Sequence, residues 1–255
     1  MHPILIQLGS FKISFYGLML AVAFFVGMNL AERGARKEGL PPKRIEKLSW
    51  WIIVSAILGA RFLYTFVEHA DVYFRNPWQF FAFREGGLSF FGGLFAAIGL
   101  SILYCRHHRL PFWKVADIYT PTIALGLAIA KIGCFLAGCC AGRACDLPWA
   151  VTFTDPETHS DLLGVPVHPT QLYESLANFL LLFLLLLFRR RQRFAGELFL
   201  VFLIVYGAVR SYLETFRESP GHLAGLTTAQ FLSIPMVLAA GLWWFLRFQR
   251  RANDA

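Results

Sequence analysis

Charged residues are scarce in this sequence. Only 16% of its 255 residues are Asp, Glu, Lys or Arg, and 56% are apolar, whereas an ordinary globular chain has about 25% charged and about 45–50% apolar residues. This balance excludes a soluble enzyme. The 24 Lys and Arg against 16 Asp and Glu give a net charge of +8, but these charges lie between long apolar runs. The pattern is typical of a polytopic membrane protein and gives no reason to expect a nucleic-acid partner.

Several motifs with well-understood chemistry are also absent. The chain has no P-loop, no dinucleotide fingerprint and no HExxH motif, so nothing indicates ATP, a nicotinamide cofactor or a hydrolytic zinc. Residues 1–12 lack the basic start, short apolar core and small-residue cleavage site of a signal peptide. We therefore expect the first apolar segment to be retained, and we predict no cofactor and no metal site.

Seven segments are apolar enough to cross a bilayer, which takes about 20 helical residues. The predicted fold is an all-α integral membrane protein with seven transmembrane helices in a single domain, residues 1–255. The two longest outward connections, residues 68–87 and 137–171, are rich in Pro, Gly, Trp and Asp and are predicted to form a small cap. The predicted spans are Ile13–Leu30, Leu48–Val67, Leu88–Tyr104, Val115–Leu136, Leu172–Phe188, Leu198–Leu213 and Phe231–Leu246.

The orientation follows from the distribution of basic residues. Sixteen of the 24 Lys and Arg lie in four segments on one side of the predicted spans, at residues 31–47, 105–114, 189–197 and 247–251. Cytoplasmic connections carry the excess of Lys and Arg. The amino terminus is therefore predicted outside and the carboxyl terminus inside, as an odd number of spans requires.

Three basic residues lie inside the predicted spans at similar depth. Arg61 and Arg210 each lie 13 residues from the inner end of a helix, about 20 Å up a hydrocarbon core about 30 Å thick, and Lys131 lies at about 24 Å. Guanidinium groups bind phosphate bidentately. The layer therefore predicts a phospholipid-headgroup site that opens to the outer leaflet. Other polar residues predicted at this level are Tyr16, Ser89, His168, Gln171, Tyr173 and Glu174.

These residues also admit structural explanations. Arg210, Glu214 and Arg217 fall at i, i+4 and i+7, so they share a helical face and could form an ion-pair ladder at a helix end. Arg61 could satisfy backbone groups between packed helices. The glycines at residues 86–93 could allow close helix packing, and His168 could cap the fifth helix.

Four cysteines cluster at the outer end of the fourth span. Cys134, Cys139, Cys140 and Cys145 lack the CxxC pairs typical of zinc and iron–sulfur sites. An outward-facing position favours oxidation. A disulfide, or a role as small packing residues, is therefore favoured over a metal.

Taken together, the motifs resemble the prolipoprotein diacylglyceryl transferase family. Any single match is weak, but the order and spacing along most of the chain are specific, and the family has seven spans with the amino end outside. The matching segments are residues 16–19 (YGLM), 59–61 (GAR), 86–93 (GGLSFFGG), 147–151 (LPWAV), 168–174 (HPTQLYE), 206–207 (YG) with Arg210, Glu214 and Arg217, and 229–236 (AQFLSIPM).

The sequence departs from this family at two places. The family usually has His, its proposed general base, where this chain has Phe91. The family signature Gly-Arg-x-Gly-Asn-Phe-x-Asn-Gly-Glu aligns with residues 130–139, AKIGCFLAGC, so its Arg becomes Lys131, its Asn becomes Cys134 and its Glu becomes Cys139. Lysine keeps the positive charge but loses the bidentate fork.

The resemblance implies transfer of diacylglyceryl from phosphatidylglycerol to the lipobox cysteine of a prolipoprotein, with release of glycerol phosphate. The implied partners are phosphatidylglycerol, prolipoprotein signal peptides and the bacterial inner-membrane bilayer, with a periplasmic amino terminus and cap. The predicted catalytic residues are Arg210, Lys131 and His168. The predicted substrate-binding residues are Tyr16, Arg61, Ser89, Gly92, Gly93, Gly142, Tyr173 and Glu214.

Two other functional classes remain open. One is a divergent homologue that binds lipid or has changed its chemistry, an alternative motivated by Phe91 and the cysteines. The other is a small-solute transporter, although no inverted repeat is visible. A seven-helix photoreceptor is disfavoured because the seventh span has no Lys for a Schiff base.

Overall fold

The computed structural model describes residues 3–8, 11–68, 77–81, 87–158, 160, 162–217, 222–223 and 226–253. The chain divides into two compact units. The first unit comprises Met1–Leu30 with Ala116–Ala255, and the second is Ala31–Val115. Each unit is described by itself below. Segments 68–87 and 137–171 belong to different units, and much of the former lies outside the described residues, so the predicted cap and the single domain stay predictions.

Seven helices in the described part of the chain are long and apolar enough to cross a membrane, which confirms the all-α, seven-span prediction. Each helix contains most of the segment predicted for it, with ends that differ by up to seven residues. The helices are α1 Phe15–Lys37, α2 Pro42–Leu63, α3 Phe90–His107, α4 Phe112–Ala137, α5 Thr170–Phe188, α6 Glu197–Leu213 and α7 Thr228–Asn253.

Short antiparallel hairpins accompany these helices. Strands β1 Ile4–Leu8 and β2 Phe11–Ser14 pair directly before α1, which is why α1 begins at Phe15 rather than at the predicted Ile13. Two smaller pairs follow later in the chain. They are β3 Val151–Thr152 with β4 Pro166–Val167, and β5 His222–Leu223 with β6 Leu226–Thr227.

Helices α2 and α3 of the second unit pack through glycines. A Cβ atom built on Gly92 would lie 2.3 Å from the Gly59 carbonyl oxygen, and one built on Gly93 would lie 3.0 Å from that of Ala56. The opposing atoms are backbone and cannot rotate away. The packing explanation for these glycines is therefore sufficient without a bound lipid.

We expect Gly92→Ala to destabilise the second unit by about 1–3 kcal/mol, because the added methyl forces two helix backbones apart. Gly99→Ala is the matched control, since a Cβ there meets nothing within 4 Å in the same helix. Thermal unfolding in detergent measures both variants. A Gly92→Ala protein as stable as the Gly99→Ala protein would contradict the close contact.

The first unit holds α4, α5 and α6 together by both apolar and polar contacts. A buried carboxylate, Asp117 of α4, accepts hydrogen bonds from the Gly196 and Phe199 amides at the start of α6 and from Gln192. An apolar cluster continues from there toward the middle of the helices, formed by Ala124, Leu181, Leu185, Leu198 and Phe202. These contacts fix the relative height of the three helices, and so the level of the polar groups at their other ends.

Candidate active site

A buried carboxylate, Glu174 in the first turns of α5, gathers three cationic side chains. Its Oε2 lies 2.8 Å from Lys131 Nζ of α4, and its Oε1 lies 3.4 Å from Arg217 Nη1 and 3.7 Å from Arg210 Nη1. A lone buried carboxylate is costly, so the three cations explain how it is accommodated. The two predicted catalytic cations, Lys131 and Arg210, are thereby brought to one point.

A second carboxylate completes this charged cluster. Glu214, one turn beyond Arg210, pairs with the Arg210 guanidinium, as expected for an i, i+4 pair. Arg217 instead contacts Glu174, and its Nη2 donates to the Cys140 carbonyl oxygen at 2.9 Å. Among the described residues, the three cations and two carboxylates of this cluster leave an excess of one positive charge, which matches a phosphodiester monoanion.

A small cavity adjoins the charged cluster between α5 and α6. It has a volume of about 10 Å³ and is lined in part by Glu174, Asn178, Tyr206 and Arg210. The Asn178 Oδ1 atom is buried without a hydrogen-bond partner. A cavity of this size holds about one water molecule, so it can hydrate the cluster but cannot admit a headgroup.

The predicted Gly142 lies where only glycine fits. A Cβ atom there would stand 2.5 Å from the Phe216 carbonyl oxygen and 2.7 Å from His168 Cβ. Its amide donates to the His168 carbonyl oxygen, and the neighbouring Arg143 amide donates to that of Phe216. Gly142 therefore allows the loop after α4 to pack closely against two backbone segments. One is the segment directly before α5, and the other is the segment directly after α6.

The His168 side chain is buried against aromatic rings. Its Nδ1 lies 3.4 Å from the Tyr173 hydroxyl, which also accepts a hydrogen bond from Trp149 Nε1 at 2.7 Å. The Phe216 ring centroid lies 5.2 Å from that of His168. Burial lowers the pKa of His168 from its usual value, and the positive charge of Arg143 lowers it further. The neutral imidazole is therefore favoured at pH 7.

Three thiols meet beside the charged cluster, at the end of α4. The Sγ atoms of Cys134, Cys139 and Cys140 all lie within 4.8 Å of one another. Hydrogen bonds with Cys134 and, to a lesser extent, Cys139 lower the pKa of the Cys140 thiol. The positive charges of Lys131 and Arg217 lower it further. The cations of the charged cluster therefore favour the thiolate form of Cys140.

An open pocket of about 620 Å³ reaches the thiols from the start of α1. Its lining includes Ser14, Tyr16, Ala137, Cys139 and Glu157. Helix α1 packs closely against α4 here, since a Cβ on Gly133 would lie 3.3 Å from Tyr16 Cα. The predicted Tyr16 and one of the cysteines thus face the same space. A pocket of this volume lies in the range of small-molecule sites.

The other predicted residues belong to the second unit. Arg61 is buried and donates from Nε to the Phe80 carbonyl oxygen at 3.0 Å and from Nη1 to that of Gly87 at 3.1 Å. The Ser89 amide donates to the Ala60 carbonyl oxygen. These contacts match the structural explanation for Arg61, and the substrate roles of Arg61, Ser89, Gly92 and Gly93 stay predictions.

This chain is similar to known proteins along most of its length. Residues 3–246 match the family described as Prolipoprotein diacylglyceryl transferase. The phosphatidylglycerol–prolipoprotein diacylglyceryl transferase of Bordetella parapertussis is 37% identical over 252 residues, covering 95% of this chain and 94% of that protein. The proteins of the same name from Idiomarina loihiensis and Finegoldia magna are 36% and 33% identical, covering 92% and 94% of this chain and 89% and 93% of their own.

The chain belongs to the prolipoprotein diacylglyceryl transferase family. This confirms the family inferred from the motifs. It also makes this chain a multi-pass membrane protein of the family, with seven candidate spans in its described residues.

Within this family member, two residues prove more central than the motifs suggested. The sequence predicts Glu174 only in the polar layer and the 168–174 motif, and Arg217 only in a possible ion-pair ladder and a family match. In the structure both belong to the charged cluster with Lys131, Arg210 and Glu214. An ionisable residue inside the first turns of an apolar helix is the signal that could have identified Glu174. The partner of Arg217 depends on how α5 and α6 pack and has no such signal.

Proposed function

We propose that this protein transfers the diacylglyceryl group of phosphatidylglycerol to the lipobox cysteine thiol of prolipoproteins. The observation that carries the proposal is the cluster of Lys131, Arg210 and Arg217 around Glu174, beside an open pocket that contains Tyr16. Family membership supports the same reaction, which is the one named for its relatives.

The reaction requires a thiolate and a stabilised leaving group. The thiolate sulfur attacks the glycerol carbon of the diacylglyceryl group, the carbon–oxygen bond to phosphate breaks, and its electron pair leaves on the phosphate oxygen. The phosphate thus passes from a monoanion to a dianion as glycerol phosphate departs. Preorganised cations at that position stabilise the growing charge.

In this proposal Arg210 and Lys131 hold the phosphate and take up the growing charge. The cluster of three cations and two carboxylates has one positive charge in excess, so a phosphodiester can join it without expelling a carboxylate. Tyr16 donates a hydrogen bond to the headgroup from the pocket wall. Glu214 orients the Arg210 guanidinium.

His168 is the proposed general base for the acceptor thiol. For that role Nδ1 carries the proton and donates to the Tyr173 hydroxyl, 3.4 Å away, while Nε2 accepts the thiol proton. The Tyr173 hydroxyl can accept this bond beside the one from Trp149. A base must be neutral to act, and the lowered pKa of His168 keeps it so at pH 7.

We expect kcat/KM to rise with pH through an inflection below about 6.5, the usual histidine value, because the pKa of His168 is lowered. His168→Ala should lower kcat about 10²- to 10⁴-fold and remove that inflection. The exposed His107→Ala is the control, with wild-type turnover and pH profile. Unchanged turnover in His168→Ala would remove His168 as the base.

The reaction itself is tested by reconstitution. The purified full chain is placed in vesicles of phosphatidylglycerol with a lipobox peptide, and mass spectrometry follows the thioether-linked gain of diacylglyceryl. A matched peptide with serine at the lipobox cysteine controls for nonspecific diacylglyceryl attachment. Absence of the mass gain with the cysteine peptide would refute the proposal.

The proposal places the protein in the bacterial inner membrane with its amino terminus in the periplasm and its carboxyl terminus in the cytoplasm. The distribution of Lys and Arg supports this orientation, which also places the charged cluster toward the outer leaflet. Cysteine labelling from outside intact cells tests it, with Ser10→Cys and Ala252→Cys each made in a chain whose five native cysteines are replaced by serine. Labelling at residue 252 but not at residue 10 would reverse the orientation.

A divergent activity is the second candidate, and Phe91 favours it. Its phenyl ring is 38% exposed and stacks on Phe95 with centroids 6.4 Å apart, so this position supplies no base. Rescue of a bacterial strain that lacks its own diacylglyceryl transferase separates the two candidates. Failure at normal expression would favour a lipid-binding homologue with altered chemistry.

A further inference from the structure

The three thiols at the end of α4 have the arrangement of a metal site. The Sγ atoms of Cys134, Cys139 and Cys140 lie within 4.8 Å of one another. Thiolates that bind one zinc ion at about 2.3 Å stand about 3.8 Å apart in tetrahedral geometry. Small side-chain rotations therefore suffice to bring all three sulfur atoms onto one ion. The CxxC spacing rule misses this site because the three residues meet through a turn rather than a zinc-knuckle loop.

The backbone that carries these cysteines is held in place. The Cys139 amide donates to the Cys134 carbonyl oxygen at 3.1 Å, which closes the turn. Gln171 Nε2 donates to the Cys139 carbonyl oxygen at 2.8 Å, and Thr170 Oγ1 donates to that of Cys140 at 2.9 Å. Cys140 itself has a φ of 64°, a conformation uncommon for a residue other than glycine. The thiols are thus presented together by a preorganised turn.

The site is accessible from the pocket. Cys139 lines the pocket of about 620 Å³ that also contains Tyr16 and Ser14. A zinc ion with three protein ligands keeps a fourth position open, as in catalytic zinc sites. Thiolate ligands select thiophilic ions such as zinc over magnesium or calcium.

We propose that Cys134, Cys139 and Cys140 bind one thiophilic divalent cation, represented by Zn²⁺, whose fourth position takes the thiol of the acceptor cysteine. The first half of this proposal stands on the thiol geometry alone. The second half rests on the proposed diacylglyceryl transfer.

The metal would assist the deprotonation of the acceptor thiol, for which the Phe91 position supplies no base. A thiol that coordinates zinc is deprotonated, so its proton passes to water in the pocket or to His168, the proposed base. The zinc-bound sulfur then forms the bond to the glycerol carbon, and the carbon–oxygen bond to phosphate breaks with its electron pair on the leaving phosphate. The thioether product is a weaker ligand and dissociates. No oxidation or reduction occurs.

Metal content is the first test. The full chain, purified under reducing conditions and equilibrated with Zn²⁺, is expected to bind one ion, with Cys105→Ser and Cys145→Ser unchanged. Each of Cys134→Ser, Cys139→Ser and Cys140→Ser should lose at least about 100-fold in affinity, more than a ligand-orienting partner costs. Because Cys134 is buried in a helix and its variant could misfold, the more accessible Cys139 and Cys140 variants decide.

Two results of this test would overturn the metal site. One is a fully reduced wild-type protein that takes up no zinc. The other is a disulfide among these three cysteines found by thiol trapping in freshly isolated membranes. Zinc binding that survives in both the Cys139→Ser and Cys140→Ser variants would also refute the assignment of ligands.

The fourth position is tested with a spectroscopic probe. Co²⁺ replaces zinc, and its sulfur-to-metal charge-transfer absorption is recorded as a lipobox peptide is added. The absorption is expected to increase with the cysteine peptide and to stay unchanged with the matched serine peptide. Equal spectra with the two peptides would overturn the role of the acceptor thiol.

The activity readout separates this inference from the proposed function. If zinc binds and the reconstituted protein transfers diacylglyceryl, chelation should abolish transfer in wild type and in Cys145→Ser, and added Zn²⁺ should restore it. Transfer that persists after complete metal removal overturns the acceptor-thiol role. If zinc binds but no transfer occurs at any metal content, the proposed function fails and the metal site stands.

Discussion

Replacing Arg210 with alanine is expected to lower kcat for diacylglyceryl transfer by about 10²- to 10³-fold, the usual effect of removing one preorganised group that stabilises the transition state. Arg210 contacts both carboxylates of the charged cluster, so the guanidinium is already oriented before the phosphate arrives. The variant removes both the positive charge and the bidentate fork. The rate of diacylglyceryl transfer to the lipobox peptide in phosphatidylglycerol vesicles measures the loss of activity.

Two further variants show whether the loss comes from the charge and the fork of Arg210 itself. Arg210→Lys keeps the charge without the fork and should recover part of the activity, since lysine binds phosphate as a point charge. Arg190→Ala removes an exposed arginine at the predicted inner face and should leave turnover unchanged. An Arg210→Ala protein that is correctly folded and fully active would remove Arg210 from the mechanism.

Glu174→Gln is expected to reduce the free energy of unfolding by about 3 kcal/mol, at the lower end for a broken buried ion pair. The substitution keeps the shape of the side chain but leaves Lys131, Arg210 and Arg217 close together, with Glu214 as the one carboxylate still paired in this cluster among the described residues. The three cations are partly exposed, which limits the cost. A fall in the Tm of the protein in detergent measures the effect.

The control for this variant is an exposed ion pair. Glu32 and Arg36 are separated by one turn of α1, and Arg36 Nη2 lies 3.7 Å from Glu32 Oε2. The Arg36 side chain is 67% exposed. Glu32→Gln should change stability by about 0–1 kcal/mol. If Glu174→Gln is no less stable than Glu32→Gln, then the cations are not held by Glu174 as described.

The sequence predicts the seven helices well because long apolar runs leave a membrane chain few alternatives. Once backbone groups must be satisfied without water, a run such as residues 172–188 can only be helical. The helix ends are less predictable because local pairing decides them. The strand pair before α1, for example, depends on contacts between residues 4 and 14 that no apolar pattern reveals.

The candidate site is predictable only in part. Depth within the helices predicts Lys131 and Arg210 at similar levels, and the structure brings both side chains to Glu174. Depth says nothing about rotation around the helix axis. The sequence therefore could not predict that Arg217 pairs with Glu174 rather than with Glu214, which precedes it in the chain. Arg61 shows the same limit, because its contacts with the Phe80 and Gly87 carbonyl oxygens come from the connection between α2 and α3.

By itself, the sequence determined the family, the seven spans and the cations that are proposed to bind the phosphate. These follow from hydropathy, the distribution of Lys and Arg, and motifs that are local in the chain. The tertiary structure alone decided which carboxylate holds those cations and that Cys134, Cys139 and Cys140 share one small volume. The physical reason is that helix rotation and a turn with positive φ at Cys140 are set by packing between segments far apart in the chain.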